Sequence, residues 1–273
     1  MPSELIHKYM RVDHLPHIWC AGCGNGVLTR DVAVAIDELC RDPVHPIVRE
    51  KVVIVSGIGC SSRAAGYLDF NSLHTTHGRA IAFATGIKLA NPELTVIVVT
   101  GDGDCSAIGG NHLIHAARRN VDMTVVVYDN NIYGMTGGQY SPTTPRGDRA
   151  TTAPYGVIDR PFDIAALAAG AGASLTARGD TYHVRETIDL IKKGISHKGF
   201  SLIDCCSICP TYYGRKNKKG DAVAMLQHQK ECGVRPEVYS ALTENERVGK
   251  YVIGTLTHSN YPEFTAEYQK IID

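Results

Sequence analysis

The chain has no surplus of charge of either sign: of its 273 residues, 28 are Lys or Arg and 28 are Asp or Glu. Nucleic acids and anionic membranes are held through a basic surplus, so neither is expected as a partner. Long apolar runs are missing as well, none approaching the roughly 18–20 residues that a membrane helix needs. The opening residues, Met1-Pro2-Ser3-Glu4-Leu5-Ile6-His7, have neither the basic segment nor the apolar core of a signal peptide. The expectation is a cytoplasmic chain. Internal repeats and low-complexity tracts are absent too. At 44% hydrophobic and 21% charged residues, the composition is that of a globular protein and excludes wholesale disorder.

What the chain does have is nine cysteines. An odd number in a chain without an export signal argues against a disulfide framework. Such cysteines act as buried fillers, metal ligands or redox groups, and their spacing has to separate these uses.

Four apolar, β-branched runs stand out: residues 51–56, 94–100, 123–128 and 201–205. None alternates with polar residues, and each ends at a Gly, Asn or Cys turn. Runs of this kind predict strands buried on both faces. Helical patterns lie between them at roughly 25–40, 78–90, 107–119, 162–170 and 183–195 by apolar periodicity. This order predicts an α/β fold with a doubly wound, mostly parallel sheet, whose functional residues follow the strands. Residues 134–156 form a Gly/Pro/Thr-rich loop too long for a plain connector. Residues 1–213 are expected to form the main α/β domain. Residues 214–273 form a C-terminal extension, with a helix at 221–231, that packs on the core or on a partner.

Gly101-Asp102-Gly103-Asp104 follows a buried strand and opens a helical pattern. Glycines allow close backbone approach there, and a helix N-terminus favours negative charge. Asn130-Asn131-Ile132 ends the next strand, with 26 residues between Gly103 and Asn130. That interval holds one helix and one returning strand, so Asp102 and Asn130 fall on adjacent strand ends. A carboxylate, an amide oxygen and a backbone carbonyl are hard ligands suited to Mg²⁺. The pairing resembles the thiamine diphosphate signature. By that resemblance Asp102, Asn130 and the Ile132 carbonyl hold Mg²⁺ against the cofactor's diphosphate.

Cys20 and Cys23 have the spacing of a thioredoxin redox motif, but residues 11–18 read poorly as the strand such a motif requires. Ligation is the other reading. Cys60 and Cys209 each stand just past a strand, and four thiolates at one sheet edge suit either Zn²⁺ or a [4Fe–4S] cluster. Cys205 and Cys206 rival Cys209 as the fourth ligand, although their place in a strand suits buried fillers better. Cys40, Cys105 and Cys232 read as structural.

The segments Trp19-Cys-Ala-Gly-Cys-Gly24, Gly57-Ile-Gly-Cys-Ser-Ser-Arg63, His74-Thr-Thr-His-Gly-Arg79 and Gly101-Asp-Gly-Asp104 form one set with two later ones. Those are Asn130-Asn-Ile-Tyr-Gly-Met-Thr-Gly-Gly-Gln139 and Cys209-Pro-Thr-Tyr-Tyr-Gly-Arg215. Together they resemble the β subunit of the 2-oxoacid:ferredoxin oxidoreductases, from residue 17 to about residue 220. The last segment is most similar to the 2-oxoglutarate branch.

The resemblance implies that Cys20, Cys23, Cys60 and Cys209 hold one [4Fe–4S] cluster. It implies that Ser61, His77, Gly78, Gly101, Asp102, Gly103, Asp104, Asn130, Ile132, Gly134 and Thr136 line the thiamine diphosphate–Mg²⁺ site. Arg63 would meet the substrate carboxylate through its planar fork, and Met135 would form an adaptable apolar wall. His112 and His115, three apart on a helix, read as surface or interface histidines.

The implied activity is the CoA-dependent oxidative decarboxylation of 2-oxoglutarate to succinyl-CoA, with electrons passing to ferredoxin. Pyruvate or another 2-oxoacid is the alternative substrate. A non-oxidative thiamine decarboxylase would have no use for the cysteines, and a zinc or thiol-redox module none for Asp102 and Asn130. The chain carries one set of cofactor motifs and no duplicated half. The expected partner is an α-type subunit that completes the site, alongside ferredoxin and further ferredoxin-like subunits.

Overall fold

The computed structural model describes residues 2–273. Seven strands form the main sheet: β1 (Val52–Ser56), β2 (Asn71–His74), β3 (Thr95–Gly101), β4 (Met123–Asp129), β5 (Leu175–Asp180), β6 (Phe200–Cys206) and β7 (Gly254–His258). Their spatial order is β7-β5-β6-β4-β3-β1-β2, parallel throughout except for β7, which runs antiparallel to β5. The α/β, mostly parallel expectation is what the structure has.

Alternate residues along the central strands enter separate cores. Ile54, Ile97, Val99, Val126 and Ile203 pack under helices α1 (Asn25–Cys40) and α5 (Val184–Ser196). Val55, Val98, Val125 and Leu202 pack under α2 (Ala80–Ala90), α3 (Gly110–Arg119) and α4 (Ile164–Ala171). A strand covered on both faces has no polar side to show, which is why these runs lack alternation.

The helices differ from the sequence expectation at two starts. The pattern at 78–90 becomes helical only at Ala80, because Gly78 sits at φ +69, outside helical space. The pattern at 107–119 is two pieces. Asp104–Ile108 forms a wide turn, closed by the Gly109 N–H on the Asp104 carbonyl at 3.1 Å, and α3 begins at Gly110.

Three strands were not expected. β2 is a largely exposed edge and carries no apolar run. In β5 the polar Arg178 and Asp180 hide the pattern. Arg178 can be mostly covered because Asp204 and Asp163 pair with it at 3.0 and 2.6 Å. β7 brings the C-terminal stretch back to the sheet, beyond a helix α6 (Ala222–Cys232). No helix among the described residues is long and apolar enough to cross a membrane.

Candidate active site

The loops after β1, β2, β3, β4 and β6 meet at the carboxyl edge of the sheet. There, a narrow cleft of about 60 Å³ is lined by Ser61, His77, Gly101–Asp104, Asn130, Ile132, Gly134, Met135 and Thr136. Nearly all the residues expected at the diphosphate site therefore come together. Gly103 has no room for a side chain, since a Cβ there would lie 2.2 Å from the Tyr133 ring.

Asp102 and Asp104 have different tasks. Asp102 Oδ2 accepts hydrogen bonds from Ser141 Oγ at 2.5 Å and Thr143 Oγ1 at 2.8 Å. Burial raises its carboxyl to about 6 despite these donors. Asp129 shares Thr143 at 2.8 Å and is pushed well above the carboxylate range by burial, then by Asp102 and Asp204. Buried carboxyls under such strain favour a cation beside them. Asp104 instead ties loops together. Its Oδ1 accepts from the Ile58 and Gly78 N–H groups at 3.2 and 2.7 Å, and its Oδ2 accepts from Thr100 Oγ1 at 2.7 Å.

Asn130 Oδ1 accepts from the Ile132 N–H at 3.2 Å. His77 Nε2 is buried without a hydrogen-bond partner, 3.5 Å from Asp104 Oδ1, and its ring meets Tyr133 edge-on. The Thr136 hydroxyl donates to Gln139 Oε1 at 2.6 Å. Arg63 stands outside the cleft. It is exposed, and its side chain makes no hydrogen bond or ion pair among the described residues, though its charge reaches Cys60 and His74.

A second cavity of 230 Å³ is lined by Cys20, Cys23, Cys60 and Cys209 together. It shares Cys60, Asn130, Gly134 and Met135 with the cleft. A Cβ at Gly134 would lie 3.5 Å from Cys60 Sγ and 3.8 Å from Cys209 Sγ, so the backbone runs directly past both sulfurs. Burial, with the neighbouring cysteines adding to it, raises Cys23 to about 12 and Cys60 to about 11. No three His, Cys, Asp or Glu side chains among the described residues converge as a single metal ion requires. Cys205 lies in the core between strands and helices, and Cys206 lines a separate cavity, away from this set.

Sequence reasoning missed several supports. Trp19 Nε1 donates to the Cys60 carbonyl at 2.7 Å, and the Gly24 N–H donates to the Ile208 carbonyl at 3.0 Å. These bonds draw the Cys20–Cys23 loop to the other two. Ser141 and Thr143 had a signal only in the length of their loop. His112 and His115 lie on α3, and neither forms an ion pair among the described residues.

A parallel sheet with a diphosphate cleft at its carboxyl edge is the architecture of a thiamine diphosphate-binding domain. Residues 57–205 match the family described as the C-terminal TPP binding domain of thiamine pyrophosphate enzymes. The chain is 52% identical to 2-oxoglutarate synthase subunit KorB of Methanocaldococcus jannaschii, over 97% of this chain and 96% of that one. With the KorB subunit of Methanothermobacter thermautotrophicus the identity is 48%, over 97% and 91%. Among solved structures it is similar to a 2-oxoglutarate:ferredoxin oxidoreductase from Magnetococcus marinus with 2-oxoglutarate, coenzyme A and succinyl-CoA bound. The TM-score is 0.79 at 34% identity, covering 97% of this chain and 88% of that one. The chain belongs to the β subunits of the 2-oxoacid:ferredoxin oxidoreductases.

Proposed function

We propose that this chain is the cofactor- and cluster-bearing subunit of an enzyme that converts 2-oxoglutarate and CoA to succinyl-CoA and CO2, reversibly, reducing two ferredoxins. The observation that carries the reading is the contiguity of the two cavities: four cysteines surround a space that shares a wall with the diphosphate cleft. Thiols spread around 230 Å³ suit a [4Fe–4S] cluster. Burial raises the Cys23 and Cys60 thiols, a preference that cationic iron would invert. Asp102, Asn130 and the Ile132 carbonyl offer hard oxygens for Mg²⁺.

Thiamine diphosphate, when bound, would supply the nucleophilic carbon and electron sink for decarboxylation, and a cluster held by the four cysteines would supply one-electron redox chemistry. The protein's share is positioning. Ser141 and Thr143 hold Asp102 in place, and Asp104 fixes the backbone of residues 58 and 78. The buried edge of His77 offers an unpaired nitrogen. Met135 closes the wall between the cavities, and Arg63, unpaired and near Cys60, is free to meet a carboxylate. One cofactor half-site implies an α-type partner subunit that completes it.

The test is co-expression with that partner, anaerobic purification, and assay with a panel of 2-oxoacids. The expected result is an iron–sulfur spectrum and CoA-dependent ferredoxin reduction fastest with 2-oxoglutarate. Faster turnover with pyruvate would overturn the substrate, and an iron-free active enzyme would overturn the cluster.

A further inference from the structure

The cysteine cavity has two sides. One faces the diphosphate cleft. On the other, Cys20 is exposed, and the loop it begins opens on a 530 Å³ cleft where Ala21 and Gly22 face Pro210 and Arg215. Of the four cysteines lining the cavity, Cys20 is the exposed one, so this loop offers an electron a way to solvent.

Arg215 lines that cleft, and further basic residues stand on the same segment and on a loop bonded to it. Arg215, Lys216, Lys218 and Lys219 follow Cys209 closely in sequence, and all four are exposed. Arg146 and Arg149, also exposed, come from the long loop 68 residues earlier. A two-point clasp holds the Arg149 backbone there: the Arg149 N–H donates to Asn217 Oδ1 at 2.7 Å, and Asn217 Nδ2 donates to the Arg149 carbonyl at 3.0 Å. Tyr213 adds a hydrogen bond to Asp148 Oδ2 at 2.5 Å.

Of the six cations, Lys219 has a carboxylate partner, Asp148 at 3.5 Å. The other five form no ion pair among the described residues. Asp221 is occupied in capping α6, accepting from the Ala224 N–H at 2.8 Å. A chain without net charge has thus sorted its charge locally. Unpaired cations held in register draw in an anionic partner and orient it. Two exposed apolar side chains, Ile18 and Val223, flank the loop at 67% and 73% exposure. A charged rim with a small apolar centre suits a short-lived redox encounter.

We infer that this ledge is the docking surface for an acidic one-electron carrier protein. The carrier seats on Arg146, Arg149, Arg215, Lys216 and Lys218, and takes its electron across the Cys20–Cys23 loop. One electron leaves the reduced cluster and reduces the carrier's oxidised cluster, with no bond made or broken. The inference rests on the cluster reading above and adds where the electron leaves.

The experiment uses the complete enzyme complex with the triple variant Arg215→Ser, Lys216→Ser, Lys218→Ser, and an Arg215→Lys control. Binding of an acidic ferredoxin is measured by calorimetry at low and high salt, without turnover. Reduction of ferredoxin and of methyl viologen, iron content and the KM for CoA are measured alongside. At low salt the triple variant should bind ferredoxin about 10-fold or more weakly, with a shallower salt dependence. Iron content and viologen turnover should match the wild type, and Arg215→Lys should behave like it. Unchanged ferredoxin affinity overturns the proposal. So does a raised KM for CoA with ferredoxin binding intact, which would assign the ledge to CoA phosphates. A wild-type complex without iron overturns the cluster reading instead, and the calorimetric comparison still judges the ledge.

Discussion

Ser141 Oγ donates a 2.5 Å hydrogen bond to Asp102 Oδ2, joining the long loop to the diphosphate loop across 39 residues of sequence. The loop therefore supports the carboxylate proposed above to hold Mg²⁺. Replacing both Ser141 and Thr143 by Ala removes two donors from one buried carboxylate. The expected outcome is ~10–100-fold weaker binding of Mg²⁺–thiamine diphosphate, the range typical for partners that orient metal ligands. Calorimetric titration checks this, and unchanged affinity would show that the loop only fills space.

Asp102 and Asp104 should separate in a stability measurement. Asp104→Asn takes acceptors from the Ile58 and Gly78 amides or from Thr100, at an expected cost of about 1–3 kcal/mol in denaturant unfolding. Asp102→Asn removes a strained buried carboxyl and should leave stability unchanged or raised while cofactor binding collapses. Equal destabilisation of the two would contradict this division.

How much of this was legible in the sequence depended on where each signal lay. Strands buried on both faces announce themselves, because the residues of Val52–Ser56 and of the run from Met123 to Tyr128 are apolar or small enough to be covered. β5 did not, because Arg178 is made tolerable by carboxylates at residues 163 and 204, a pairing that exists only after folding. The Cys20, Cys23, Cys60 and Cys209 set was visible as spacing relative to strand ends. The Trp19–Cys60 bond that gathers these loops was not, since nothing local to Trp19 names its acceptor.

Alanine at Cys23, Cys60 or Cys209 should each lower iron content and abolish ferredoxin reduction. Cys205→Ala and Cys206→Ala should retain iron, because their side chains lie in the core and in a separate cavity. Cys40→Ala and Cys232→Ala should also retain it. Loss of iron in Cys206→Ala with full occupancy in Cys209→Ala would reverse the assignment.

Asp31 gives a pH signature. Burial lifts its carboxyl from 3.8 to about 7, and Arg30 at 3.3 Å offsets only part of that. A carboxyl raised in the folded state favours its protonated form. Its contribution is therefore complete below about pH 4, declines as pH rises toward 7 and levels off beyond, by up to about 4 kcal/mol. Asp31→Asn should flatten this decline in denaturation curves collected from pH 4 to 8. Identical pH slopes would place the titration elsewhere.

Arg63→Ala should raise the KM for 2-oxoacids by about 10-fold or more, as loss of a charge-assisted contact does, with iron content intact. Arg63→Lys should recover part of it, since a lysine lacks the planar fork. Wild-type kinetics in both variants would assign substrate recognition to another cation.

β7 is the last strand of the sheet to be synthesised, yet it covers the flank of β5. Until residue 258 has left the ribosome, the outer edge of β5 offers unpaired backbone groups to any other strand. The nascent chain thus carries a sticky margin from the emergence of residue 180 until that of residue 258. Cells making this subunit in quantity would have to shield that margin, with a chaperone or with low local concentration, until the final stretch arrives to close it.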